Sequence, residues 1–167
     1  MALQLSKKAT ENLYRFVFAV VLSTTLLGCS STKKSSSQNA AIDKVIETAR
    51  SYTGVPYKWG GTTRAGMDCS GLLLIAFQSA GIDIPRTSKA QSKMGKGVSI
   101  HNLQPGDLVF FRANKYSGKI THVGLVTEVR DKRNVRFIHA STKLGVVENN
   151  IFTDYYHNIF AKARRPF

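Results

Sequence analysis

Residues 68–81 read DCSGLLLIAFQSAG, a run that is apolar on nearly every side once wound into a helix. A helix without a polar face must be covered by the rest of its domain, so this segment is expected at the centre of the fold. Asp68 is placed to cap its N-terminus and Gly81 to end it in the left-handed conformation. Upstream, Ile42, Val45, Ile46 and Ala49 repeat at helical spacing, ended by Gly54 and Pro56. Downstream, Pro85-Arg86-Thr87-Ser88 is expected to start a short helix running to about Met94.

Beyond that point the periodicity changes. Gln104-Pro105-Gly106-Asp107 has the Pro and Gly placement of a type II turn, with Asp107 expected only to stabilise it. Strands are expected at Leu108–Phe111, His122–Val129 and Val135–Ser141, with weaker candidates at Val146–Asn149 and Ile159–Ala163. Helices first and closely connected strands afterwards predict an α+β domain, N-terminal helices packed on an antiparallel sheet.

The N-terminus reads as an export signal. Lys7, Lys8 and Arg15 precede an apolar stretch, Phe16–Leu27, that is too short to span a bilayer. It ends in Leu26-Leu27-Gly28-Cys29, which resembles the bacterial lipobox, so Cys29 is expected to be lipidated after removal of residues 1–28. Serine rather than aspartate follows Cys29, which favours the outer membrane, with the protein facing the periplasm. The Ser-rich stretch Ser30–Ala41 is expected to be a flexible tether, so that residues 29–41 join the lipid to a folded domain spanning 42–167. Formal charge is +14, and removal of three cations and one anion with the signal leaves +12. The cations are scattered, so a plain solvated basic surface accounts for that excess as well as attraction to an anionic lipid surface or cell-wall polymer does, and charge alone does not choose. Export and the absence of a base-reading platform argue against nucleic acid.

Lipidation of Cys29 leaves Cys69 as the one free thiol, opening the central helix, and a leftover cysteine in an exported protein suggests a reactive group. A helix N-terminus stabilises an anion and a nearby imidazole can accept the proton, whereas burial in the apolar core without an imidazole would push the thiol above its ordinary value of about 8.5. If the strands 122–129 and 135–141 form a hairpin centred between Arg130 and Asp131, His122 faces His139, Gly124 faces Phe137 and Val126 faces Val135. The two imidazoles then share one sheet face, as base and orienting partner for the thiol. An even displacement of register keeps that arrangement, and an odd one destroys it. His101 and His157 connect to no such constellation and read as structural. Cysteine with two histidines could also bind zinc or copper, but a cysteine opening a helix is a poor match to a copper loop, and no metal or cofactor is expected.

Six segments then occur in an order that resembles the NlpC family of papain-like cell-wall peptidases. They are Pro56-Tyr57-Lys58-Trp59-Gly60-Gly61, Asp68-Cys69-Ser70-Gly71, Pro85-Arg86-Thr87-Ser88, Pro105-Gly106-Asp107-Leu108-Val109-Phe110-Phe111, His122-Val123-Gly124 and His139-Ala140-Ser141. The resemblance implies a papain-like fold, Cys69 as nucleophile, His122 as general base and His139 as the orienting group. It also implies that the Tyr57 hydroxyl helps to hold an oxyanion, against the plainer alternative of packing beside Trp59. Asp68 and Ser70 match positions that meet a substrate amine in some relatives, against simple helix capping. Arg86 could meet a substrate carboxylate, against a role as a surface arginine. The implied activity is cleavage of peptidoglycan peptides by a monomer, at the D-alanine to diaminopimelate cross-link in preference to the γ-D-glutamyl to diaminopimelate bond. An acyl transferase and an inactive wall-binding adaptor are the competing readings.

Overall fold

Asp68 caps the central helix as its sequence demands. In the computed structural model, which describes residues 30–167, its carboxylate accepts the Gly71 N–H at 2.7 Å and α2 runs Cys69–Ser79. Gly81 follows with φ of 73°. Leu72, Leu73, Ala76 and Phe77 are completely buried, whereas Leu74 and Ile75 stay half-buried. The helix therefore lies against one face of the sheet and is not enclosed on all sides, because the sheet's other face is occupied by a different set of side chains.

Before α2, α1 spans Ser30–Arg50, and β1 (Thr62–Thr63) and β2 (Gly66–Met67) form a small hairpin. After it come α3 (Ser88–Gln91), β3 (Lys96–Val98), β4 (Leu108–Arg112), β5 (Ile120–Asp131), β6 (Asn134–Ser141), β7 (Gly145–Asn150), α4 (Asp154–Ile159) and β8 (Phe160–Arg165). The main sheet has the order β3-β8-β4-β5-β6-β7, with every pairing antiparallel. One face buries Phe110, Leu125 and Ile138 against Val45 and Ile46 of α1 and Phe77 of α2. The opposite face buries Phe111, Val126 and Phe137 with Ile151, under Tyr156 of α4.

The predicted α+β arrangement is present, with local differences. The chain divides between Gln38 and Asn39 into two units, so residues 39–167 form the larger one. Ser30–Ala41, expected as a flexible tether, is instead helical, continuous with the packed turns that follow. No Gly or Pro interrupts it, and Lys33, Lys34, Gln38, Ala40 and Ala41 propagate helix readily once Val45, Ile46 and Ala49 have fixed the first turns. Cys29 and the export signal lie outside the described residues. No helix among the described residues is long and apolar enough to cross a membrane. The helix expected to reach Met94 ends at Gln91, its backbone turning through Ser92. Strand β3 and helix α4, neither expected, are short elements whose residues carry no clear period of their own.

Gly106 adopts φ of 92° in the predicted turn, closed by an Asp107 N–H to Gln104 carbonyl bond of 3.1 Å. Asp107 does more than stabilise it. Its two oxygens accept from Arg165 Nε and Nη2, each at 2.8 Å, and so tie the last strand to the turn.

At Gly71 a side chain has no room, because a Cβ there would overlap the Gly61 carbonyl of the preceding loop. Helix propensity favours Gly71→Ala by about 1 kcal/mol, whereas the overlap costs about 1–3 kcal/mol. Net destabilisation is expected in urea unfolding, and a variant as stable as the parent would show that the loop is not held against α2.

Candidate active site

The Pro56–Gly61 loop, the start of α2 and the segment at Arg86 are drawn together by Asp68. Its Oδ1 accepts from Gly71 N–H, from Ser70 Oγ at 3.1 Å and from Arg86 Nη1 at 2.9 Å; its Oδ2 accepts from Gly60 N–H at 2.9 Å and from Arg86 Nη2 at 2.7 Å. Arg86 Nη1 also donates to Ser70 Oγ at 2.9 Å. Burial works to raise the Asp68 pKa, but the Arg86 fork and the two N–H groups outweigh it and hold the carboxyl below its ordinary value. Asp68 is thus a helix cap and a clamp at once. Arg86 is neither a free surface arginine nor a free cation, since its guanidinium is already forked onto a carboxylate.

Cys69 opens α2 with its sulfur buried beside β5. Backbone N–H groups of Val123, Ser70 and Cys69 itself are directed at it, yet burial dominates and pushes the thiol up to about 11. Of the two opposed effects at this helix start, burial is the stronger: desolvating a thiolate costs more here than the three dipoles return. The free protein holds a neutral thiol.

His122 and His139 do meet. His122 Nε2 and His139 Nδ1 are 2.8 Å apart, with the ring planes perpendicular. The hairpin reaches this by a different register from the expected one. Leu125 pairs with Ile138 and Val126 with Phe137, not with Val135. Continued by one residue, that alignment sets His139 across from Gly124 and His122 on the diagonal. The displacement is two residues at this end, an even number, so both rings keep one face. Its cause is a pair of irregularities, between Val126 and Glu128 and between Val129 and Asp131, which move the turn to Lys132-Arg133. Asp131 Oδ1 accepts the Arg133 N–H at 2.8 Å within that turn.

Strand alternation sends Val123 and Leu125 toward α2 and His122 toward Phe111 on the other face. Thiol and imidazole consequently approach the end of β5 from two sides, and the Val123 N–H, next in the chain to His122, is among the groups that favour the thiolate. No hydrogen bond links sulfur and imidazole among the described residues.

The run continues through two residues that the sequence did not single out. His139 Nε2 lies 2.9 Å from Asn149 Oδ1 and 3.1 Å from the Tyr156 hydroxyl, which itself donates to Asn149 Oδ1 at 3.1 Å. An amide oxygen only accepts, so His139 carries its proton on Nε2 and presents Nδ1 as a lone pair. His122 must then donate from Nε2, which leaves its Nδ1 unprotonated. Burial, followed by the neighbouring His139, depresses His122 to about 3, and burial lowers His139 also, partly countered by Asn149. Both rings are neutral near pH 7. Asn149 is the last residue of a strand that the sequence marks only weakly, Val146–Asn149, and Tyr156 lies in an unexpected helix, so only long-range pairing reveals them. His101 and His157 stack instead on opposite approaches to Phe152 and touch neither ring of the pair.

Two cavities flank this centre. A narrow one of about 290 Å³ is lined by Cys69, Asp68, Ser70 and Arg86, and a wide one of about 640 Å³ by His122 and His139. Tyr57, Trp59 and Thr121 line both, so the two are arms of one groove meeting at the reactive groups. Tyr57 packs into the core around α2, and its hydroxyl pKa is raised by burial and then by Cys69 and Asp68. Trp59 is 86% exposed, so Tyr57 is not simply packed beside it.

Because the thiol is neutral at rest, its reaction with a small thiol-directed reagent is expected to be slow at pH 7 and to climb about tenfold per pH unit toward about 11. A rate that levels off below pH 7 would contradict the burial argument.

Comparison with known proteins agrees with this architecture. The sequence profile of the NlpC/P60 family matches residues 54–165. The chain is 33% identical to the Escherichia coli protein named probable endopeptidase NlpC, across 90% of this chain and 99% of that one. It is 37% identical to murein DD-endopeptidase MepS/murein LD-carboxypeptidase of the same organism, across 73% of this chain but 61% of the relative. Among solved structures, an NlpC/P60 family protein from Bacillus cereus superposes with a TM-score of 0.67 at 35% identity, over 74% of this chain and 39% of that one. With the profile spanning the groove and both histidine strands, this chain is a member of the NlpC/P60 family.

Proposed function

We propose that this protein is a peptidoglycan endopeptidase in which Cys69 is the nucleophile, His122 the general base and His139 its orienting partner. The observation that carries the reading is the hydrogen-bonded run from Asn149 through His139 to His122, which leaves His122 Nδ1 unprotonated on the residue next to Val123, whose N–H favours the Cys69 thiolate. The name of the MepS relative, a murein DD-endopeptidase, supports peptidoglycan as the substrate, and that of the NlpC relative supports an endopeptidase.

The neutral pair sets the course of the reaction. The Cys69 S–H proton passes to His122 Nδ1 as the sulfur attacks the scissile carbonyl, so no thiolate need persist in the free protein. The oxyanion is met by the Cys69 N–H at the start of α2 and by the Tyr57 hydroxyl. Collapse breaks the C–N bond, and the departing amine takes the proton from His122. Water then attacks the thioester, giving its proton to the same nitrogen and returning the thiol. Asn149 and Tyr156 act through His139, by keeping its proton on Nε2.

Cleavage of the D-alanine to diaminopimelate cross-link is favoured over the γ-D-glutamyl to diaminopimelate bond by the relation to MepS. The lipobox-like Leu26-Leu27-Gly28-Cys29 supports a lipid anchor on Cys29 and a place in the outer membrane, facing the periplasm. An adaptor without activity has no use for a hydrogen-bonded Asn149–His139–His122 run beside a groove that also holds Cys69.

Treatment of cross-linked sacculi, followed by cutting of the glycan strands with a muramidase and weighing of the products, is expected to show cross-linked muropeptides converted to monomers by the parent protein and left cross-linked by Cys69→Ala of unchanged fold. Parent-level products from Cys69→Ala would sink the nucleophile assignment, and new amine conjugates would indicate transfer to an amine acceptor in place of water.

Asn149→Ala is expected to lower kcat by roughly tenfold, the scale of one lost hydrogen bond to a group that becomes charged, while KM changes little. An equal fall in kcat with Phe152→Ala, which touches neither ring of the pair, would mean that the loss is structural.

A further inference from the structure

The wide arm holds two cations that the chemistry above does not use. Arg112 ends β4 and Lys143 lies in the turn between β6 and β7, and both line the cavity that contains His122. Elsewhere Arg50, Arg86, Arg130 and Arg165 each find a carboxylate. Arg112 and Lys143 have none among the described residues, and no Asp or Glu lines the arm. Its rim is apolar and open: Trp59, Leu144 and Tyr155 are 86%, 69% and 65% exposed.

The direction of the reaction decides which part of a substrate enters this arm. The departing nitrogen takes its proton from His122, so the amine-side half of the cleaved peptide extends from the sulfur toward and past that ring. The space beyond the ring is the wide arm. A concave surface bearing positive charge without a counter-anion selects a negative group. On the amine-side half of a peptide that group is a carboxylate.

We infer that the wide arm is a subsite for a carboxylate carried by the amine-side half of the substrate, with Arg112 and Lys143 as its specificity residues and the Trp59–Leu144–Tyr155 rim covering the aliphatic stem. The inference rests on the hydrolase reading above for the direction of the chain, and on the lining of the cavity for the charge. Arg112 can offer a two-pronged contact and Lys143 a point charge from a mobile stem. A negative group on the carbonyl side gains nothing from either, since Asp68 already occupies Arg86 in the narrow arm. The subsite therefore separates substrates by where their charge lies.

Two synthetic peptides, identical except that the amine-side carboxylate is free or amidated, test this. Binding of each to full-length Cys69→Ala is measured by calorimetry, and turnover of each by the unmodified protein is measured separately. The free acid is expected to bind about tenfold more tightly, the scale of one charge-assisted hydrogen bond. Arg112→Gln with Lys143→Gln should bring that ratio close to one, as should added salt, while Lys132→Gln in the hairpin turn should leave it intact. Equal binding of acid and amide, or a ratio that survives the double substitution, overturns the subsite. Lys143→Gln alone, in an exposed turn, reads the same ratio if the double variant folds poorly. Turnover without acid preference would retain the hydrolase and remove the subsite, and acid preference without turnover would do the reverse.

Discussion

The ion pair between Asp68 and Arg86 is the constraint on which the reactive end of this molecule depends. One nearly buried carboxylate accepts from two backbone amides, a serine hydroxyl and both prongs of a guanidinium. A charge in that position is tolerable only because it is paired and fully hydrogen-bonded. Arg86 is still 36% open to water, which screens the pair and reduces what it adds to stability. Its larger effect is geometric. It fixes in one place the loop carrying Tyr57 and Trp59, the first turn of α2 with Cys69, and the segment leading into α3.

Against that fixed end the hairpin of β5 and β6 brings up two imidazoles, and the low dielectric of the core governs their state. Burial lifts the thiol and lowers both rings, so neutrality is the resting condition of all three groups. Charge separation is then deferred to the moment at which a substrate carbonyl can share it. Direction within the run comes from its far end, where Asn149 can only accept from His139 Nε2. An amide on β7 thereby sets which nitrogen of His122 is free.

Several features were legible along the chain because they are local. Asp68 as cap, Gly81 as the end of α2, the turn at Gly106 and the strands around Val109, Leu125 and Phe137 follow from spacing and turn chemistry within a few residues. Ser30–Ala41 reads differently along the chain and in the fold, where it is part of α1. Serine content suggests a linker, but a helix anchored by Val45, Ile46 and Ala49 extends through any stretch that lacks a breaker. The hairpin register escaped local reading because it depends on irregularities in β5. Each adds a residue on one side of a ladder, and no residue type marks them in advance.

What the sequence determined by itself is the set of parts: a thiol on a capped apolar helix, two histidines on strands that can share a face, and a chain order that resembles one family of hydrolases. The tertiary structure decided how those parts stand. Burial outweighed the helix N-terminus at Cys69, the two bulges set His122 diagonal to His139, Asn149 and Tyr156 completed the run, and Arg112 and Lys143 arrived in one cavity from the end of a strand and from a turn. The division has a single physical reason. Caps, turns and periodicity are satisfied within a few residues, whereas desolvation, register and charge pairing depend on atoms that only folding brings close.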